Sequence, residues 1–375
     1  SLIILLLVNH CVILYNDIGV SAYIVYRFTQ CSDTEKGSPM NIYDISEKAG
    51  VSIATVSRVV NGSTNVSTKT KEKVLAVIEE YGYTPNAFAR GLTANTMHTV
   101  GILCPDSSDS HLAQAIFYLE QNLRAQGYDV LLCCTGYKLA DKQKYMQLLL
   151  AKNVDGIILV SSTFVSAVSR DNQYIKLASK KVPVVILNAA LDAPNIFSVF
   201  CNDEKATEEA TLSLIENGRK RILFLYNSLS YSCTRKRSGY EKALAACNIP
   251  LQNDLMQFCK SVTDSISGVK DFLNQLALHD VTYDAVITAD DLLAVGVIKY
   301  AKENHISIPS ELEIIGYNNS TLAKCCEPEL TSVDGKLEAL CKQCVNALTS
   351  TLAGEDFPNK SVFSAELIQR ETTNF

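Results

Sequence analysis

From Val100 onward the chain repeats one pattern: a short apolar run with strand chemistry, a turn, then a longer amphipathic run. Strands are expected at Val100–Cys104, Asp129–Cys134, Gly156–Val160, Val182–Leu187 and Ser198–Cys201. Helices fall between them at Leu112–Gln126, Asp141–Lys152 and Tyr174–Lys180. The rhythm then restarts, with helices at Glu204–Glu216, Arg237–Cys247, Ser265–Leu278 and Leu292–Asn304. Strands are expected there at Ile222–Tyr226, Ala285–Thr288 and Glu313–Gly316. Strands that alternate with helices must pair in parallel, because each helix carries the chain back across a sheet face. Two such runs imply two parallel, doubly wound sheets, with ligands held beyond the carboxyl ends of the strands.

Residues 40–98 read differently. Asn41 can cap a helix that ends at Gly50, the residue best suited to a left-handed turn. Ser52 caps a second helix, Ile53–Val60, which Asn61-Gly62 ends, and Ser67 caps a third, Thr68–Tyr81. Ile45, Ala49, Val51, Val56 and Val60 would close the angle between the first two helices, with Val74, Val77 and Ile78 on one side of the third. Ile53, Ala54, Thr55, Ser57 and Arg58 are left facing outward, polar yet barely charged. Two short helices about a tight turn form the unit that lays one helix in the DNA major groove.

The order "IYDISEKAGVSIATVSRVVNG", then "VSTKTKEKVLAVIEEYGYTPNAFARGL", then "TVGILCPD" closely resembles the LacI/GalR family of bacterial transcription regulators. The resemblance runs from about Met40 to the last strand near Glu371 and is densest over 42–92. It implies an all-α helix-turn-helix headpiece (40–84), a hinge helix and linker (85–97) and a core like that of periplasmic sugar-binding proteins. Core subdomain 1 would comprise 98–200 with about 329–353, and subdomain 2 would comprise 201–328 with about 361–375. It also implies three chain crossings, near 198–202, 328–334 and 354–361.

The resemblance places Ile53, Ala54 and Arg58 at base edges. The chemistry agrees: Arg can bond a guanine O6/N7 pair, and the apolar pair can meet thymine methyls. Tyr43, Ser52, Thr55, Ser57, Asn61, Ser67, Thr70 and Asn86 carry donors suited to phosphate. Thr55 and Ser57 have a second reading as groups that cap or solvate their helix. Pro85 suits a first helical turn, and the segment to Leu92 is too short to be stable alone. The family implies that it folds on DNA, with Leu92 wedged into the minor groove beside Ala89. The competing reading makes Leu92 a core residue, although Thr93-Ala-Asn-Thr around it is polar.

The effector cleft is expected to involve Asp106, Asp109, His111, Asn188, Lys236, Asp290 and Asn318. Here the chain departs from the family. Lys236 stands where sugar-responsive members commonly have Arg, Asn318 where Gly-aromatic-Asp is usual, and Gly335 where many have Gln. Arg is a fork and Lys a point charge, so the first exchange is not conservative. Either the cleft takes an altered ligand, or small-molecule sensing has been lost.

Net charge is −6 over 375 residues. Within 40–98, however, Lys/Arg at 48, 58, 69, 71, 73 and 90 balance Asp/Glu at 44, 47, 72, 79 and 80. A near-neutral headpiece binds phosphate weakly alone and calls for two copies acting together. The 13 cysteines are odd in number and sit mostly in apolar runs, as in a reducing compartment. Cys341 and Cys344 read as thiols one helical turn apart, not as a metal site. There is no phosphate-binding glycine loop, nucleophile elbow or His-rich spacing, so neither an enzyme nor a cofactor is expected.

Residues 1–39 depart from the family. Their apolar runs, Leu2–Val8 and Cys11–Tyr15, fall short of a membrane span. They read as an upstream extension outside the fold, with a membrane anchor as the alternative. The expectation is a cytoplasmic, nucleoid-associated homodimeric repressor in carbohydrate metabolism, whose partners are operator DNA, a second copy and a sugar-like effector, with no membrane partner. Effector-independent DNA binding is the alternative, and a solute-binding receptor a more distant one.

Overall fold

A computed structural model describes residues 5–8, 11–14, 40–60, 65–83, 96–259 and 266–375. It divides into two units, residues 1–87 and 88–375. In the first, β1 (Leu5–Val8) and β2 (Cys11–Leu14) pair antiparallel. Its other described residues form a three-helix headpiece, α1 (Ile42–Ala49), α2 (Ile53–Val60) and α3 (Thr68–Glu80).

Each headpiece helix starts on a side-chain cap. Asn41 Oδ1 accepts from the Tyr43 N–H at 2.8 Å, and Asp44 Oδ2 accepts in return from the Asn41 N–H at 2.8 Å. Gly50 ends α1 at φ +57°, which an L side chain would resist. Ile45, Ala49, Val56, Val59 and Val74 are buried together. Val59 thus holds the core position expected of Val60. Val51 and Val60 are only half-buried at its edge, as are Val77 and Ile78.

The second unit holds two six-stranded sheets. Strands β3 (Thr99–Cys104), β4 (Asp129–Cys134), β5 (Gly156–Val160), β6 (Val184–Leu187) and β7 (Ile196–Cys201) belong to the first. The second has β8 (Ile222–Tyr226), β9 (Met256–Phe258), β10 (Ala285–Thr288), β11 (Glu313–Tyr317) and β12 (Thr331–Asp334). Two late strands, β13 (Lys360–Phe363) and β14 (Glu366–Ile368), finish one sheet each. The orders are β13-β7-β6-β5-β3-β4 and β14-β12-β11-β10-β8-β9. All pairings are parallel except β14 on β12.

Helices α4 (Ser110–Ala125), α5 (Leu139–Ala151) and α6 (Gln173–Ala178) cover the first sheet, joined by α12 (Leu337–Leu352). Helices α7 (Asp203–Glu216), α8 (Tyr231–Ala246), α9 (Ile266–Ala277) and α10 (Asp291–Glu303) cover the second, and α11 (Thr321–Cys325) is a short turn. Each sheet thus separates two apolar layers, and the central strands are buried on both faces.

The chain passes between sheets after Cys201, after Asp334 and between Phe363 and Glu366. The second and third passages lie later than expected. Thr331–Asp334, expected in subdomain 1, pairs with β11 in the second sheet, and Lys360–Phe363 pairs with β7 in the first. The last strand ends at Ile368 rather than near Glu371. All three strands are short, Thr331–Asp334 carries two hydroxyl side chains, and the last two are half-exposed, so no long apolar run announces them. Helix α8 starts six residues before the expected Arg237, because Ser230 accepts the Cys233 N–H as a cap. Cys341 and Cys344 lie one turn apart on α12, both buried in the core. No helix of the described residues is long and apolar enough to cross a membrane.

Candidate nucleic-acid interface and ligand cleft

Helix α2 turns Val56 and Val59 inward, which leaves Ile53, Ala54 and Arg58 exposed on the other face. Ile53 is 39% exposed, a large apolar side chain held in water by a helix of only two turns. At both α2 and α3 the same device sets the start. Ser52 Oγ accepts the Thr55 N–H at 3.2 Å and shares a proton with Thr55 Oγ1 at 2.9 Å. Ser67 and Thr70 repeat it at 3.3 and 2.8 Å. These hydroxyls therefore cap helices first, as the second reading of Thr55 allowed, yet each pair keeps one O–H to offer outward. Ser57 is half-buried. Tyr43 is 66% exposed on the first turn of α1. Asn61, Asn86, Ala89 and Leu92 lie outside the described residues.

Between the two sheets is a cavity of about 30 Å³, room for roughly one water. His111 and Asn188 reach it from the first subdomain, Lys236 and Asn318 from the second. The other expected residues do different work. Asp109 accepts the Leu112 N–H at 2.9 Å and caps α4, while Asp290 accepts the Leu293 N–H at 2.8 Å and caps α10. Asp106 closes a turn through Ser108 N–H and Oγ at 2.8 and 2.7 Å. Asp109 and Asp290 are claimed by the helices they precede and Asp106 by its own turn, and none of the three lines the cavity.

The lining includes residues that sequence reading missed: Cys201, Asp203, Ser232 and Tyr317. Tyr317 O–H donates to Asp203 Oδ1 at 2.6 Å, although the two lie 114 residues apart. Burial raises the Asp203 carboxyl, opposed by the charge of Lys236 and by hydrogen bonds from Tyr317 and Ser232. Lys236 is 6% exposed; its Nζ donates to Ala289 O at 2.7 Å and stands 3.4 Å from the Tyr317 ring centroid. An ammonium on an aromatic face in a dry site is held strongly. His111 is pushed down to about 4, by burial first and by Lys236 second, against the opposing pull of Asp109. Gly335 stands beside Cys201 at the floor of the cavity.

A three-helix headpiece followed in the chain by a pair of α/β subdomains, which hold a polar cavity between their two sheets, is the construction of a DNA-binding regulator with a ligand-binding core. Comparison with known proteins agrees. Residues 97–361 match the model for periplasmic binding proteins and the sugar-binding domain of the LacI family, and residues 41–86 match bacterial regulatory proteins of the lacI family. The chain is 54% identical over 336 residues to an HTH-type transcriptional regulator of Lachnoclostridium phytofermentans, covering 90% of this chain and all of that one. It is 34% identical to catabolite control protein A of Priestia megaterium, over 78% of this chain and 87% of that protein.

Among solved structures, a lac repressor dimer bound to operator and the anti-inducer ONPF superposes with a TM-score of 0.78 at 23% identity, over 89% of this chain and 99% of that one. The chain belongs to the LacI family and is a DNA-binding transcriptional regulator with a sugar-binding domain, not an enzyme.

Proposed function

We propose that this regulator is a homodimeric repressor on an approximately palindromic operator, its affinity set by a sugar-like ligand in the cleft. The observation that carries the reading is the outward face of α2. Ile53, Ala54 and Arg58 are presented together on a buried framework, with apolar and bidentate groups side by side. Thr55, Ser57 and the Ser52, Ser67 and Tyr43 hydroxyls are assigned to phosphate, with Asn61, Thr70 and Asn86. Ala89 and Leu92 are assigned to the minor groove.

Two headpieces are required because one is nearly neutral. Exposed apolar side chains on the edge strand β4, Leu131 and Leu132, and on the helices flanking that sheet, Phe117 and Leu148, support a second copy as partner. Ligand binding then couples to DNA through the hinge segments, as a free-energy difference between cleft states. The CelR–cellobiose complex, with a TM-score of 0.65 and 25% identity, supports a sugar-like occupant.

The test compares Arg58→Ala with the unmodified chain on specific and random DNA. A loss of about 1–3 kcal/mol confined to the specific site, with preference relaxed at one base pair, is expected. Equal losses on both DNAs would make Arg58 a phosphate contact. The effector-independent reading draws support from the small cavity and the lysine stacked in it. Ligand-dependent thermal shift separates it from the first.

A further inference from the structure

The cavity's polar groups fall into those already engaged and those still free. Both carboxylates around Lys236 are engaged. Asp203 accepts from Tyr317 and Ser232, and Asp290 accepts from the Leu293 N–H and from Asn227 Nδ2 at 2.9 Å. The Lys236 charge faces both of them and offsets them.

What remains for a ligand is rich in donors. Lys236 Nζ has one oxygen partner, Ala289 O, and keeps further N–H groups. The carboxamides of Asn188 and Asn318 have no hydrogen-bond partner among the described residues, and each is half-buried at the cavity. They close it from opposite sheets, at φ +64° and φ +98°, conformations that cost energy in any residue but glycine. His111, uncharged at neutral pH, adds a ring N–H. Asp203 is the one carboxylate in the lining among the described residues, and Tyr317 and Ser232 already donate to it, so little acceptor-only capacity is left for the hydroxyl hydrogens of a neutral sugar.

We infer that the cleft selects an acidic sugar, a hexuronate or aldonate, whose carboxylate is received by Lys236, Asn188 and Asn318. The inference rests on the effector reading above and names the class of ligand for that site. With room for only about one water, the subdomains must part at their three crossings to admit it. A carboxylate that accepts from both walls then draws them together again.

The test is calorimetric titration of the full chain with D-galacturonate, D-glucuronate and D-gluconate, against D-galactose, D-glucose and the methyl ester of D-galacturonate. The ester keeps the shape of the acid and removes its charge. At least one acid should bind roughly ten- to a hundredfold more tightly than its neutral counterpart, the range for hydrogen bonds to a charged group. Lys236→Met should abolish that preference. Asn318→Asp, at a half-buried position that tolerates a charge, should weaken the acid selectively by placing a like charge beside it.

Neutral sugars that bind as tightly as the acids, or tighter, overturn the inference and leave the effector reading standing. Silence with all six, in a preparation that still binds its specific DNA, overturns both. A preference for acids that survives in both variants also overturns the assignment of these residues.

Discussion

Replacing Gly239 with alanine should destabilise the second unit while leaving the headpiece as it is. Gly239 lies in α8 where that helix crosses α7, and a Cβ there would press into the Glu204 carbonyl oxygen and stand 2.9 Å from the Glu208 nitrogen. These are backbone atoms and cannot rotate aside. The helices would have to part by more than an ångström, opening the layer around Phe224 and Tyr240. Overpacking commonly costs about 1–3 kcal/mol, and a clash against backbone sits at or above the upper end. Alanine returns about 1 kcal/mol through helix propensity. The net loss is then roughly 2–3 kcal/mol, or a fall in Tm of roughly 4–10 °C for a unit of this size. The assay is thermal unfolding followed by near-ultraviolet circular dichroism of the tyrosines, with helical signal from a headpiece fragment as control. An unchanged or raised Tm would show that α7 and α8 do not meet at this distance, and the geometry around Lys236 would fall with it.

Three further outcomes are expected. Arg219→Ala strands the fully buried Glu313, whose Oε2 accepts from Arg219 Nε at 3.1 Å. The loss should be about 3 kcal/mol in urea unfolding, the lower end for a broken buried pair, because Asn217 Nδ2 and the Asn374 N–H still donate to that carboxylate. His111 should make stability depend on pH. Its folded-state value is about 4 against an ordinary 6.5, so the unfolded chain takes up a proton first, and stability present at neutral pH is lost as pH falls through that window. His111→Gln should flatten that part of the Tm profile between about pH 6.5 and about pH 4, and an unaltered slope would refute it. Leu92→Ala should weaken operator binding by about 1.5–3 kcal/mol for each inserted side chain, with random-DNA affinity and Tm unchanged. A large drop in Tm without selective loss on the operator would make Leu92 a core residue.

The parts legible in the sequence were those with strong local signals. Caps at Asn41, Ser52 and Ser67 and the stop at Gly50 marked the headpiece, and long apolar runs marked the central strands. Strands β12, β13 and β14 were hidden because they are short, and β13 and β14 are half-exposed besides, and that displaced two crossings. In the cleft, composition alone could not tell an aspartate that binds from one that caps. Asp109 and Asp290 had the usual N-cap position, three residues before the N–H they accept, and that signal was available. The pairing of Asp203 with Tyr317 was not, since only the folded crossing at Asn202 brings the two segments together. Asn188 and Asn318, which line the cavity, could be singled out because each follows directly on a strand end.

The interleaved path of the chain also sets an order of events during synthesis. The headpiece closes on contacts within about forty residues and can form as soon as it leaves the ribosome. The first sheet cannot: begun at Thr99, it waits for Lys360–Phe363 at its edge and for Leu337–Leu352 on its face. Both subdomains therefore complete only once residues 360–368 have emerged, and nearly together. A prematurely terminated product would carry a folded DNA-reading unit and two unfinished sheets with open edges, a species prone to join other chains rather than to regulate.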